Sequence, residues 1–327
     1  MRLPIVIAIG LAAATGAVSP GVLTRYEAQR LSMACLYDIV AFAEASSDMP
    51  VVLERALDEV DRIDRLMSHY KPQSPLSQLN REAAGRPVVV DRELFDLIAR
   101  SIDYSRDTDG AFDVTVGPLM KAWGFFLGDG RVPRGDELAG VMRHVGYRHV
   151  VLDPTARTIR FDVPEVELDL GGIAKGYAVD RVVAFLQKRG ITSALVSAGG
   201  STVYGLGHPP DRRAWDVKIQ DPLNSARVAF TVALTDRAIS MAGRSAKTFE
   251  ADGIVYSHIM DPRTGRPVQG IVSVAVTSLT GTDGDAVDDA LFVMGVEKGR
   301  RYLRRFPSST AWYWVQDADG SRVVRQQ

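Results

Sequence analysis

Between Ser193 and Ser278 the chain strings together β-rich apolar segments joined only by glycine-rich or polar turns. They read "SALVSAGGSTVYGLG", "WDVKIQDP", "RVAFTVALTDRAISMAG", "GIVYSHIMDP" and "IVSVAVTS". Parallel strands need crossovers of a dozen or more residues, usually helical. Strands that follow one another without such crossovers belong to an α+β fold of mainly antiparallel sheets, not to a doubly wound one.

The flanking sequence supplies the helices. Leu53, Leu57, Val60, Ile63 and Met67 recur at helical spacing and predict a helix over 50–68. Asp91 can cap a second one carrying Leu94, Leu97, Ile98 and Ile102, ended by Gly110. "VELDLGGIAKGYAVDRVVAFLQKRG" reads as a strand, a Gly-Gly turn and a helix closed by Gly190. "YKPQSPLSQLN" reads as a polar loop, and "AFDVTVGPLMKAWGFF" begins strand-like and breaks at Gly117-Pro118. "RHVVLDPTARTIRFD" is a hairpin around Pro154, and "AWYWVQDADGSRVVR" a hairpin with Asp-Gly at its turn. Residues 22–48 give only a strand around "ACLYDIVAFA".

The N-terminus stands apart. Arg2 precedes an uncharged apolar run from Leu3 to about Val18, the pattern of a secretory signal or a short anchor over residues 1–21. Export to a bacterial periplasm is the expectation, with a membrane tether if the segment is retained. The 327 residues suffice for one large domain or two lobes with a sizeable core, and the expectation is a single two-lobed domain over 22–327. A net charge of -1 gives no basic field for nucleic acid, and the single cysteine, Cys35, excludes an internal disulfide.

"GTDGDAVDDALFVMG" packs four aspartates into positions 283–289 and then turns apolar. On a helix Asp285, Asp288 and Asp289 share one face. Two carboxylates about 5 Å apart repel by roughly 3 kcal/mol at an effective dielectric of 20, whereas a helix N-terminus returns only about 0.3–1 kcal/mol each. A solvated helix start tolerates the cluster by capping alone, but a partly buried one calls for a cation. Oxygen ligands suit Mg²⁺ or Ca²⁺.

Gly171 and Gly172 permit a close backbone approach to a ligand, and the helix that follows offers free N–H groups to an anion. Lys175 in its first turn opposes the helix dipole, a conflict a phosphate would relieve. A tight turn with a solvated lysine is the plain alternative. No Walker loop or dinucleotide fingerprint is present. His258 ends a strand beside a Pro and Gly turn, where imidazole can take a proton from a hydroxyl; a structural histidine fits the same local sequence.

Six segments in order resemble the ApbE family, the FAD:protein FMN transferases. They are "MSHYKPQSPLSQLN", "GAFDVTVGPLMKAWGF", "DLGGIAKGYAVDRV", "ALVSAGGSTVYGLG", "YSHIMDPRTGRPV" and "GDAVDDALFVMG", covering about residues 60–295. The resemblance implies a two-lobed α+β fold with FAD in the inter-lobe cleft. It implies Mg²⁺-dependent transfer of FMN from FAD to a threonine or serine hydroxyl of an acceptor protein of the membrane redox-complex subunit type, releasing AMP. Carried onto this chain, it puts Asp285, Asp289 and the Gly172 carbonyl at metal positions, with Asp288 between the two aspartates. Asp169 and Lys175 match flavin-nucleotide positions. Tyr70, Asp113, Val114, Thr115 and Ile259 match FAD contacts, and His258 matches the base. Met33 answers to a flavin-contacting methionine, although "MAC" departs from the usual Met-Gly-Thr. Asp289 stands where many relatives have threonine, which adds a negative charge. A FAD pyrophosphatase using water as acceptor, and a non-catalytic FAD-binding protein, are the alternatives.

Overall fold

The computed structural model describes residues 23–126, 128–244, 247–317 and 320–326. The N-terminal signal or anchor segment lies outside these residues. Among the described residues seven α-helices form: α1 Met49–Met67, α2 Pro75–Glu82, α3 Arg92–Asp107, α4 Gly117–Ala122, α5 Gly135–Val141, α6 Ala174–Lys188 and α7 Gly281–Leu303. None of them is long and apolar enough to cross a membrane.

The chain divides into two compact units, each discontinuous in sequence. One comprises residues up to Arg62, Lys175–Met241 and Val276–Asp285. Its sheet runs in the spatial order Thr24–Ser32, Cys35–Ala43, Ala194–Ala198, Thr202–Leu206, Arg237–Gly243, each neighbour antiparallel. A separate antiparallel ribbon pairs Trp215–Asp221 with Asn224–Leu234. Leu53, Leu57 and Val60 of α1, Ala178, Val179 and Val182 of α6, and Tyr37 are fully buried in it. Arg30 ties its strand to α1 through Glu54, Asp58 and Asp61, at 2.5–2.9 Å.

The other unit comprises Ile63–Ala174, Ala242–Ala275 and the chain from Ala286 on. It holds the order Ile271–Ser278, Ala311–Asp317, Gly320–Gln326, and a small sheet ordered Val88–Val89, Thr158–Phe161, Val150–Asp153. Short hairpins join Thr248–Ala251 to Ile254–Ser257 and Met260–Asp261 to Arg266–Pro267. Trp123, Leu119, Met120, Phe125, Leu138 and Met260 form one core cluster, against which Phe249 and Tyr256 pack. The Trp123 indole donates to the Gly265 carbonyl at 2.8 Å, so the ring's one polar atom is satisfied.

Several local readings need correction. "YKPQSPLSQLN" contains a helix rather than only a loop: Ser74 accepts from Ser77 N and Pro75 takes the first helical position, where its missing N–H costs nothing. "AFDVTV" forms no strand; it is a buried turn leading into α4. The stretch before Gly171 also lacks a ladder, because side chain and loop atoms satisfy its backbone instead. At the C-terminal hairpin Gly320 pairs with Asp317, so this glycine opens the strand. Residues 24–32 add a strand that the sequence did not reveal. The remaining predicted helices lie within a residue or a few of their expected ends, α3 being capped by Asp91 accepting from Glu93 N at 2.8 Å.

Candidate active site

The division into units falls between Ala174 and Lys175 and between Asp285 and Ala286, within two of the motifs singled out above. In the first unit, α6 and α7 meet backbone to backbone. A Cβ on Gly176 would lie 2.5 Å from the Gly281 carbonyl carbon and 2.8 Å from Asp285 Cβ. Only glycine allows that approach. Gly176 N donates to Asp285 Oδ2 at 2.9 Å, and Asp285 Oδ1 lies 3.4 Å from the Thr202 hydroxyl. Thr202 in turn shares a 3.0 Å hydrogen bond with Ser240. Half-buried Lys175 directly precedes Gly176. Cys35 packs against Gly199; burial pushes its thiol up to about 11, with Lys175 pulling it down and Asp285 and Asp38 pushing it further up.

In the second unit, Asp289 of α7 sits against the backbone of Gly172, where any Cβ would collide with its carboxylate and approach Phe112 at 3.3 Å. Asp169 opens the same turn. Its Oδ1 accepts from Gly171 N at 2.8 Å, and its own N–H donates to the Val114 carbonyl at 2.7 Å. Asn80 grips the preceding residue from both sides: Nδ2 donates to Leu168 O at 3.0 Å, and Oδ1 accepts from Leu168 N at 2.9 Å.

Asp113, Val114 and Thr115 are buried. Asp113 Oδ1 accepts from Thr115 N and Oγ1 at 2.9 and 2.7 Å, and Oδ2 accepts from Tyr147 N at 2.7 Å. Thr115 Oγ1 accepts from Gly146 N at 2.7 Å. Burial raises the Asp113 carboxyl, and these donors pull it back. The side chains of Asp113 and Thr115 therefore hold the 146–147 turn, while the Val114 carbonyl holds Asp169.

Tyr70 is 43% exposed and stacks on Phe126 at 4.8 Å and 12°. Lys247 Nζ lies 5.5 Å from its ring centroid. Burial, helped by Asp169, pushes the Tyr70 hydroxyl up to about 12, so it stays a neutral donor. The His69 ring meets Tyr70 and Phe126 edge-on and places Nε2 3.5 Å from Asp169 Oδ2. His258 follows the hairpin strand Ile254–Ser257; its N–H donates to Lys247 O at 3.2 Å and its ring lies 6.5 Å from Phe125. Ile259 is buried next to it, its carbonyl accepting from Val268 N.

The aspartates of α7 divide their tasks. Thr280 caps the helix: its hydroxyl accepts from Asp283 N at 3.1 Å and donates to the Asp283 carboxylate at 2.8 Å. Asp285 and Asp288 are 3% and 2% exposed, so open water does not account for them. Among the described residues no three His, Cys, Asp or Glu side chains are grouped as a metal site. Within the second unit the adjoining donors are hard oxygens: the Asp289 carboxylate and the backbone of Gly172, beside which glycine leaves room for it. Their chemistry fits a hard divalent cation that completes its shell with ligand phosphates.

Structure thus brings Gly176 to Asp285, Gly172 to Asp289, and Tyr70 near Lys247. Three residues that the sequence reading missed stand beside them. Asn80, which holds Leu168, and Asp180, whose Oδ1 accepts from Gly281 N at 2.6 Å, act on partners far away in sequence, which no local pattern reveals. His69 was legible as one of only five histidines, next to Tyr70.

The fold has the architecture of a flavin transferase. The ApbE protein of Thermotoga maritima superposes with a TM-score of 0.84 at 30% identity, covering 93% of this chain and 97% of its own. The flavin transferase ApbE from Vibrio cholerae gives 0.82 at 29% identity, covering 93% and 98%. Residues 33–314 match the model of the ApbE family, and the chain belongs to that family. Its relatives named FAD:protein FMN transferase, which are transferases, include one from Vibrio cholerae, 35% identical over 78% of this chain and 75% of the relative. Another, from Treponema pallidum, is 32% identical over 83% and 79%.

Proposed function

We propose that this chain transfers the FMN half of FAD to a threonine or serine hydroxyl of an acceptor protein, releasing AMP. Supporting it are the names of its relatives and one observation above others: a buried carboxylate, Asp285, held at 2.9 Å to the first turn of the helix that carries Lys175. That helix start places the Lys175 cation, with the positive end of the helix dipole, toward a pyrophosphate. Tyr70, 43% exposed beside Phe126 and Lys247, offers a partly open aromatic ring to the flavin nucleotide.

In the reaction, the acceptor hydroxyl oxygen forms a bond to the FMN-side phosphorus of FAD. The bond from that phosphorus to the bridging oxygen breaks, and AMP leaves with the electron pair. His258 takes the hydroxyl proton. Lys175, in the first turn of α6, holds the phosphate oxygens in line. Asp169, whose N–H is held by the Val114 carbonyl and whose neighbour Leu168 is held by Asn80, and the backbone around Asp113–Thr115 and Ile259 shape the nucleotide's surroundings. Asp285, Asp288, Asp289 and the Gly172 carbonyl would hold Mg²⁺, which when bound neutralises pyrophosphate charge and stabilises the departing phosphate. The acceptor is of the membrane redox-complex subunit type, and the setting periplasmic, which the apolar run Leu3–Val18 supports.

Incubation of the chain with FAD, Mg²⁺ and a threonine-bearing acceptor domain, read by intact mass and AMP release, tests the reading. A gain of one FMN, abolished by chelator and by Asp285→Ala, is expected. AMP without mass gain would replace the transferase with a pyrophosphatase. Bound FAD with neither product would indicate a carrier, with Asp289 as the first position to revert to threonine.

A further inference from the structure

The first four N–H groups of a helix lack partners within it, and all four of α7 are accounted for. Gly284 N bonds back to Thr280 O at 3.1 Å, and Asp283 N to the Thr280 hydroxyl. The first two are met from another helix. Asp180 of α6 accepts from Gly281 N at 2.6 Å with Oδ1, and from Thr282 N at 2.8 Å and the Thr282 hydroxyl at 2.5 Å with Oδ2.

The pattern is reciprocal. Gly176 and Asp180 lie one turn apart on α6, and Gly281 and Asp285 one turn apart on α7. Asp285 accepts from the N–H of Gly176 at the start of α6, while Asp180 accepts from the N–H of Gly281 at the start of α7. Each helix start is thus capped by an aspartate one turn into the other. The two glycines let the backbones touch: a Cβ on Gly281 would lie 2.7 Å from Gly176 O and 3.1 Å from Asp180 Oδ1. With the helices this close, the height of α7 against α6 is set by two carboxylates bonded to three amides, and Asp285 is one of the two.

We infer that Asp180 is a positioning residue: by capping α7 from α6 it fixes where the Asp285 carboxylate stands. Its consequence for cation binding rests on the reading of Asp285 as a metal ligand. Charge-assisted contacts of this kind tolerate little displacement. An asparagine at position 180 can accept from one N–H but turns its own NH₂ toward the other donors. The helix's own cap, Thr280, supplies a matched control. Thr280→Val frays the same end of α7 without touching α6.

The experiment compares the full chain with Asp180→Asn, Asp180→Ala and Thr280→Val. Amide hydrogen exchange at Gly176 reports the Asp285 contact with no metal present. Mn²⁺ titration followed by electron paramagnetic resonance, with FAD bound, reports the cation. Gly176 exchange at least tenfold faster and a Mn²⁺ dissociation constant at least tenfold higher are expected in both Asp180 variants. Thr280→Val, at comparable loss of thermal stability, is expected to leave both near the parent values. Equal effects from Thr280→Val, or unchanged Gly176 exchange in Asp180→Asn, would reduce Asp180 to an ordinary cap and overturn the inference. Faster exchange in a chain whose parent form binds no Mn²⁺ would uphold the positioning and remove the metal reading instead.

Discussion

Gly176→Ala puts the backbone contact of α6 and α7 to a direct test. The new methyl would stand 2.5 Å from the Gly281 carbonyl carbon, 2.8 Å from Asp285 Cβ, and closer still to the Gly281 oxygen. Ordinary contact begins near 3.4 Å, so the helices must part by about 1 Å, and backbone has no flexible end that could swing aside. Overpacking of this kind costs about 1–3 kcal/mol. The same movement stretches the 2.9 Å bond from Gly176 N to Asp285 beyond hydrogen-bond range, and a hydrogen bond to a charged group is worth about 1.5–3 kcal/mol. Alanine returns about 0.5–1 kcal/mol, because glycine is the poorer helix former. The sum is a loss of roughly 2–5 kcal/mol, a large part of the ~5–15 kcal/mol typical of a folded protein. Urea unfolding followed by far-UV circular dichroism measures it as a fall in midpoint at unchanged slope. A variant as stable as the parent, or more so, would refute the reasoning: helix propensity would then have outweighed a collision that was not there.

Two further outcomes follow from single residues. Asn80→Ala leaves the N–H and carbonyl of buried Leu168 without their partners; at about 1–3 kcal/mol per unsatisfied group the urea midpoint should fall by the equivalent of at least 2 kcal/mol. Asn80→Asp should not restore it, since its second oxygen would face the Leu168 carbonyl, and full recovery by aspartate would contradict the paired geometry. Cys35, with its thiol raised by burial from 9.0 to about 11, should react with iodoacetamide at pH 8 about a hundredfold more slowly in the native chain than in urea, because thiolate is the nucleophile. The sign for stability is set by the same shift. The thiol favours the folded state fully below pH 9, and that contribution is lost as the pH climbs toward 11. A native labelling rate equal to the unfolded one would show the thiol to be exposed.

Much of this protein is written locally. The amphipathic spacing from Leu53 to Met67 marks α1, Asp91 marks the start of α3, and turn-separated apolar runs mark the strands, because each depends on neighbours within a few residues. Even the Gly-Gly turn and the aspartate-rich helix start could be picked out as unusual. What each unusual residue does could not. Gly176 reads as an ordinary helix glycine until Asp285, 109 positions on, is found bonded to its N–H. Asp180 reads as a solvated helix residue until its carboxylate meets α7, 101 positions away. Asn80 closes a polar motif until it is seen to hold Leu168, 88 positions distant. The side chains of Asp113 and Thr115 hold the 146–147 turn, a partnership over some 30 positions that the local sequence does not show. Side-chain hydrogen bonds over such separations depend on where the packed helices and sheets bring the backbone. A local pattern carries no record of that placement, so residue type and spacing single residues out while the folded contacts show what their side chains hold.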